Sequence, residues 1–474
     1  MYIISIWVFW FFITCQLLLA RAEIDCGLIN KKIYCYNGQY ASLYSLDVVS
    51  DTPVSMLDRQ WQLQNVSLND KRVYSTFVTI TSANSLFVYG GLGIDANKSL
   101  TNHAIVYEAE PNIWERISNY TNSKNNTSRQ IFLAAAVYAS RLGAVVFYGG
   151  HEMVSTNMSE SSNASVTSAF GVSTRQGFEV ATLYNLGTDT WSTFLNQANP
   201  MVGSYPILQT ATFHPSTGKI FYLGGWYISA TISPASFAYG MVFNTNNGMW
   251  SNISFGGKAP SPRDGHTATL LPSGNDILLY GGSLNSTVAL SDFCYSLNLD
   301  NMYWTEHTEL YDSKASGIRT RHSAVLIDQT LFILFGIDSN GNKLSNMLAV
   351  NVYDPNSLSF SSAFHTNRKN LSVGAIVGIV IGSVVGLAIV LILIIFYLRK
   401  KLARSKDESM LASAFQKEVV ELENWEKSEI SAEANQQQPV HVEQVEILAQ
   451  DEDHTLAITA NNSSISVQEK KTSE

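Results

Sequence analysis

The sequence predicts an all-β fold, and three observations carry that prediction. Six apolar stretches end in glycine: Ile33–Gly38, Leu86–Gly91, Val145–Gly150, Ile220–Gly225, Ile277–Gly282 and Leu331–Gly336. Each is answered downstream by a large aromatic, in turn Trp61, Trp114, Trp191, Trp250, Trp304 and Phe360. Five of the six intervals are 22 to 25 residues and the third is 41. A repeat of about 50 residues with this grammar predicts a six-bladed β-propeller.

Four strands are expected per repeat, and in the second repeat they fall at 75–81, 85–89, 104–107 and 114–117. The second strand is nearly all apolar, as a strand covered on both faces must be. Glycine ends it because backbone crowds there, leaving no room for a Cβ and favouring positive φ. The outer-strand tryptophan buries a large ring in the widening gap between blades. Each repeat owns its four strands, so no strand exchange is expected between the first and last.

The two ends decide topology. Residues 1–22 are mostly apolar and close on Leu19-Ala20-Arg21-Ala22, a secretory signal peptide with a small-residue cleavage site. Residues 23–364 hold the repeats and 365–372 form a short linker. Residues 373–398 contain no charge in 26 positions, enough to span a bilayer with some tilt. Arg399, Lys400, Lys401, Arg404 and Lys406 follow, which places the C-terminus in the cytoplasm. A type I single-pass protein of the plasma membrane or an internal membrane is expected.

Within the apolar segment Gly374, Gly378, Gly382 and Gly386 recur every fourth residue, a close-packing stripe suited to a helix homodimer. Glycine is also simply frequent in membrane helices. The tail, 399–474, opens with a basic collar, and 407–474 then carry 15 acidic and four basic residues. Residues 410–430 read as helix with one apolar face; beyond Ser431 the composition predicts disorder.

A formal net charge of −9 argues against a nucleic-acid partner. Nine sequons before the membrane mark exposed glycosylation loops: Asn65, Asn97, Asn119, Asn125, Asn126, Asn157, Asn163, Asn252 and Asn285; a tenth, Asn370, stands too near the bilayer to be used. Cys15 leaves with the signal. Cys26 and Cys35 flank a turn-like Asn30-Lys31-Lys32 and are expected to join across the first hairpin, in an oxidising compartment. Cys294, mid-strand, reads as a buried thiol.

The glycine pairs and the tryptophans in register resemble the kelch repeat. With the signal and anchor, the chain is similar to the attractin-type propellers of cell surfaces. Departures fall in the terminal repeats, at Asn37-Gly38, Phe335-Gly336 and Phe360. The resemblance implies that Arg263, Arg319 and Arg321, in Arg263-Asp264-Gly265-His266 and Arg319-Thr320-Arg321-His322, lie at the mouth of a central channel. Their forked donors suit an acidic ligand, or else a hydrogen-bond network between blades. Further candidates for a ligand face are Trp226 and Tyr227, after the glycine pair of the fourth repeat, and His151, Glu152 and Phe178, at the ends of a Ser/Thr/Asn-rich insertion, 151–178. That insertion is a recognition loop or a glycosylated spacer.

Galactose oxidase also has a kelch propeller, so a membrane-tethered copper carbohydrate oxidase is an alternative. That resemblance implies a copper site of two histidines, two tyrosines and a cysteine crosslinked to one tyrosine, whereas the seven luminal histidines show no ligand spacing and Cys294 lies mid-strand rather than on a loop. No Gly-x-Ser-x-Gly elbow, His-Glu-x-x-His or phosphate-cradling loop occurs. The expected function is non-enzymatic, without cofactor: binding of an extracellular or luminal protein or glycan. A secretory-pathway scaffold or trafficking protein is a further alternative.

Overall fold

The computed structural model describes residues 24–365, apart from 67–69, 96–97, 122–126, 155–165, 168–172, 196, 199, 285–287 and 312–316, together with 389–401 and 410–417. Two compact units divide the chain after Asn370. In the second, the described residues are helical at 389–401 and 410–417. No helix among the described residues is long and apolar enough to cross a membrane. Gly374, Gly378, Gly382 and Gly386, and the signal peptide, lie outside the described residues.

The first unit is built from antiparallel meanders, each contained within one sequence repeat. The first runs Ile24–Ile29, Lys32–Asn37, Ser42–Asp47 and Gln62–Leu63, hydrogen-bonded in that order. The second runs Thr76–Ile80, Ser85–Tyr89, Ala104–Glu108 and Ile113–Arg116. Comparable sheets begin at Ala135, Thr210, Thr267 and Ser323. Their first strands touch in cyclic order, and the strand at Ser323–Ile327 returns to Ile24–Ile29. The arrangement is a β-propeller.

Second strands are buried throughout, as their composition requires; Leu86, Phe87 and Val88 are fully covered. Each outer-strand aromatic covers the gap to the preceding sheet. Trp114 meets Tyr36, Trp191 meets Tyr89, Trp250 meets Tyr148 at 4.5 Å between centroids, and Trp304 meets Phe237. Trp61 closes the cycle against Phe335 of the last sheet. Phe360 packs among Tyr280 and Phe293 of the fifth sheet.

Closure differs from the expectation in one respect. The main sheets exchange no strand, but Ala363–Phe364 pairs with Thr52–Pro53, between the third and fourth strands of the first sheet. Ser323 Oγ also accepts from the Cys26 amide and donates to the Ile24 carbonyl. The ring is therefore sealed by hydrogen bonds beside the sheets as well as by apolar packing.

Cys26 and Cys35 face each other across the first hairpin with Cα atoms 4.1 Å apart and form a disulfide. Cys294 is fully buried, and burial pushes its thiol well above its ordinary range. A non-reducing peptide map should join Cys26 to Cys35, while Cys294 should take up alkylating reagent only after unfolding. Labelling of Cys294 in the native protein would contradict that packing.

Candidate ligand-binding face

The glycine pairs sit where two neighbouring sheets meet end on. At Gly90 (φ 63°) a Cβ would lie 1.6 Å from the Ile131 carbonyl oxygen, at the entry to the third sheet. Gly91 donates its amide to that same oxygen at 3.0 Å. Gly225 and Gly282 repeat the bond onto the carbonyls of Arg263 and Arg319. The pair is thus an inter-sheet clasp, which needs both a missing side chain and a left-handed backbone.

Arg263 and Arg319 are 0 % exposed, so they do not present a ligand surface. This corrects their assignment as ligand contacts. Arg263 donates to the carbonyls of Ser261, Gly281 and Asp292, and its Nη2 pairs with the Asp292 carboxylate at 2.6 Å. Arg319 donates to Phe335 and Asn346. Arg72 does the same to Gly90, His103 and Asn102. In each case the guanidinium ties the end of the second strand to the start of the third within its own sheet. The arginine bonds are therefore internal to each sheet, while the glycine amides reach the backbone carbonyls of the next sheet. Arg72 was legible only as a third copy of this pattern.

Two buried histidines complete the junctions. His266 Nε2 is hydrogen-bonded to Thr210 Oγ1, and His322 Nε2 to Thr267 Oγ1, each in the preceding sheet. Burial, then the nearby Arg263 charge, pushes His266 down to about 3; burial and Arg319 push His322 the same way. Both rings are neutral at physiological pH.

The insertion in the third sheet is not loose at its base. It extends two strands, Ala144–Met153 and Ser173–Asn185, with a register shift between Phe147 and Gly149. His151 and Glu152 are each 4 % exposed and Phe178 is fully buried, so these three also fail as surface contacts. Glu152 lies between Arg129 and Arg175, 2.6 and 2.8 Å away, and the pair holds its carboxyl below the usual carboxylate range despite burial. His151 is bonded to the Tyr205 hydroxyl, and burial lowers it to about 4. Phe178 stacks in a cluster with Tyr89, Phe147 and Trp191. Trp226 and Tyr227 are half-buried on a small auxiliary sheet, and Trp226 donates to the Asp264 carboxylate.

Of the sequons, Asn65 and Asn252 are exposed. Asn119 is half-buried and its Oδ1 accepts from the amides of His103 and Ala104. Asn97, Asn125, Asn126, Asn157, Asn163 and Asn285 lie outside the described residues. Among the described residues no group of three or more His, Cys, Asp or Glu side chains is placed to hold a metal ion.

One pocket, of about 190 Å3, opens at the junction of the last and first sheets. Arg321, Lys343, Asn37 and Tyr40 supply its polar groups, and Ile24, Phe335, Ile337 and Leu344 its apolar wall. Arg321 is the one predicted arginine that lines an opening. Asn37, Tyr40 and Lys343 were not singled out in the sequence, although Asn37-Gly38 and Phe335-Gly336 were recognised there as breaks in the glycine-pair pattern.

Comparison with known proteins agrees with this architecture. Residues 208–370 match the model of the KLHDC2/KLHL20/DRC7 Kelch-repeats domain. The solved structure of YjhT superposes with a TM-score of 0.50 at 12% sequence identity, covering 72% of this chain and 97% of that one. The kelch-repeat resemblance is thus borne out over residues 208–370, on a β-propeller fold. A probable serine/threonine-protein kinase of Dictyostelium discoideum is 31% identical over 120 residues, 25% of this chain. The match spans only 9% of that protein's length.

Proposed function

We propose that this kelch propeller is a non-enzymatic, six-bladed binding module, carried outside or in the lumen on an attractin-like type I single-pass membrane glycoprotein. Its ligand is an extracellular or luminal protein or glycan, and the apolar segment 373–398 anchors it with the tail in the cytoplasm. One observation carries the binding reading. The buried arginines at the blade junctions are bonded to backbone carbonyls within the fold, while the pocket between blades six and one opens to the outside. A pocket on a rigid scaffold is where recognition is built. The glycine stripe offers a route to a homodimer through the membrane helix.

The test uses the full-length chain expressed in cells. Removal of N-glycans should increase its electrophoretic mobility, and saturable binding of a native ligand should survive metal chelation. An unglycosylated chain would overturn the topology. Stoichiometric copper with turnover of a carbohydrate would overturn the non-enzymatic reading.

A further inference from the structure

The two places where the repeat abandons its glycine pair, Asn37 and Phe335, line the same pocket. In blades two to five the first glycine of the pair is pressed against the next blade, as at Gly90 and at Gly281, where a Cβ would meet the Arg319 carbonyl oxygen at 2.2 Å. In blade six that position is Phe335, held at φ 60°, a conformation a bulky side chain adopts only when its surroundings impose it. Its ring leans on Trp61 and forms one wall of the opening.

The pocket's chemistry is one-sided. Arg321 and Lys343 line it, and no carboxylate is among its lining residues. Asn37 is 8 % exposed, and its buried Oδ1 has no hydrogen-bond partner among the described residues. An acceptor left in that state is costly unless something donates to it. Tyr40, 63 % exposed, presents a ring at the rim. A matching ligand therefore brings a negative charge for the two cations, a hydroxyl or amide hydrogen for Asn37, and a flat C–H surface for Tyr40. The volume lies below the ~300–1,000 Å3 of drug-sized sites, which limits the occupant to about one sugar ring.

We propose that the pocket between blades six and one binds a hydroxycarboxylate of sugar size, the chemistry of a uronic acid, with its carboxylate on Arg321 and Lys343 and a hydroxyl donating to Asn37. This deepens the glycan branch of the binding reading. It adds a defined subsite at the blade six–one junction.

Saturation-transfer NMR on the full-length glycoprotein in detergent provides the test, with D-glucuronate, D-glucose and N-acetylglutamate amide as probes. Transfer to glucuronate should exceed transfer to glucose, and Lys343→Glu, an exposed position, should weaken glucuronate at least tenfold with an unchanged melting temperature. Equal transfer to the glutamate amide would reassign the pocket to acidic peptide, and no transfer to any probe would remove the proposal. Retention of binding in the Lys343→Glu chain would remove it as well. Native-ligand binding measured on that variant separates the two readings: if it persists while the pocket fails, recognition runs through other loops and the propeller remains a binding module.

Discussion

Replacing Arg263 by alanine is expected to destabilise the propeller by about 3–5 kcal/mol, the cost of stranding a partner when a buried charge pair is broken. The side chain is fully buried and joins three backbone carbonyls and the Asp292 carboxylate. Alanine leaves all four acceptors without it. Asp292, whose carboxyl Arg263 holds below its usual range, would lose its principal cation. Arg263→Lys should fall between the two, since an ammonium keeps the charge but cannot reach the carbonyls of Gly281 and Asp292 with a planar fork. Thermal unfolding of the glycoprotein checks the order wild type, Lys, Ala. An alanine variant that melts with the wild type but loses ligand would show that this arginine serves the ligand after all.

The same residue shows how far the sequence could be read. Strand order, the buried second strands and the tryptophans between blades follow from periodicity, because side-chain pattern and blade packing impose the same spacing. The first hairpin and its disulfide follow from local chain geometry around Asn30-Lys31-Lys32. What periodicity cannot give is whether a polar residue at a strand end points into solvent or back into the fold. Arg263, Arg319, His151 and Glu152 all occupy positions that could face a ligand. In each case a partner distant in sequence turns the side chain inward: Asp292 is 29 residues from Arg263, and Arg175 is 23 from Glu152.

The candidate pocket was visible in outline only. Asn37-Gly38 and Phe335-Gly336 could be recognised as exceptions to the repeat, yet nothing in a linear pattern says that exceptions some 300 residues apart meet. Ring closure brings them together, through the contact of Ile24–Ile29 with Ser323–Ile327 and the strip joining Ala363–Phe364 to Thr52–Pro53. The base of the blade-three insertion carries a related lesson. A deletion aimed at the loop should span 155–172 and spare Arg175, since removing Arg175 would also take away one of the two arginines that neutralise Glu152.

Acidification from pH 7 towards 4 is expected to destabilise the propeller steeply, with uptake of protons on unfolding. His151, His266 and His322 are neutral when folded, with values lowered to about 4, about 3 and well below the ordinary 6.5, burial being the first cause in each. In the unfolded chain they protonate near 6.5. Between those limits the unfolded state binds more protons than the folded one, so stability is complete above about pH 6.5 and falls as pH drops. Each such histidine contributes roughly 1.4 kcal/mol per pH unit, so three give about 4 kcal/mol per unit near pH 5. His103 and His214 shift in the same direction, also by burial, and add to the slope. The carboxyls of Glu152 and Asp292 act later, because the unfolded chain takes up protons on its carboxyls only near pH ~4 while the folded ones, held lower, stay ionised. Unfolding of the glycoprotein followed at pH 7, 6, 5 and 4 measures the slope, and His322→Gln should reduce it by about one histidine's share, roughly 1.4 kcal/mol per unit. A melting temperature that stays level from pH 7 to 5 would mean that these rings reach water or a counter-charge, contradicting their burial between blades.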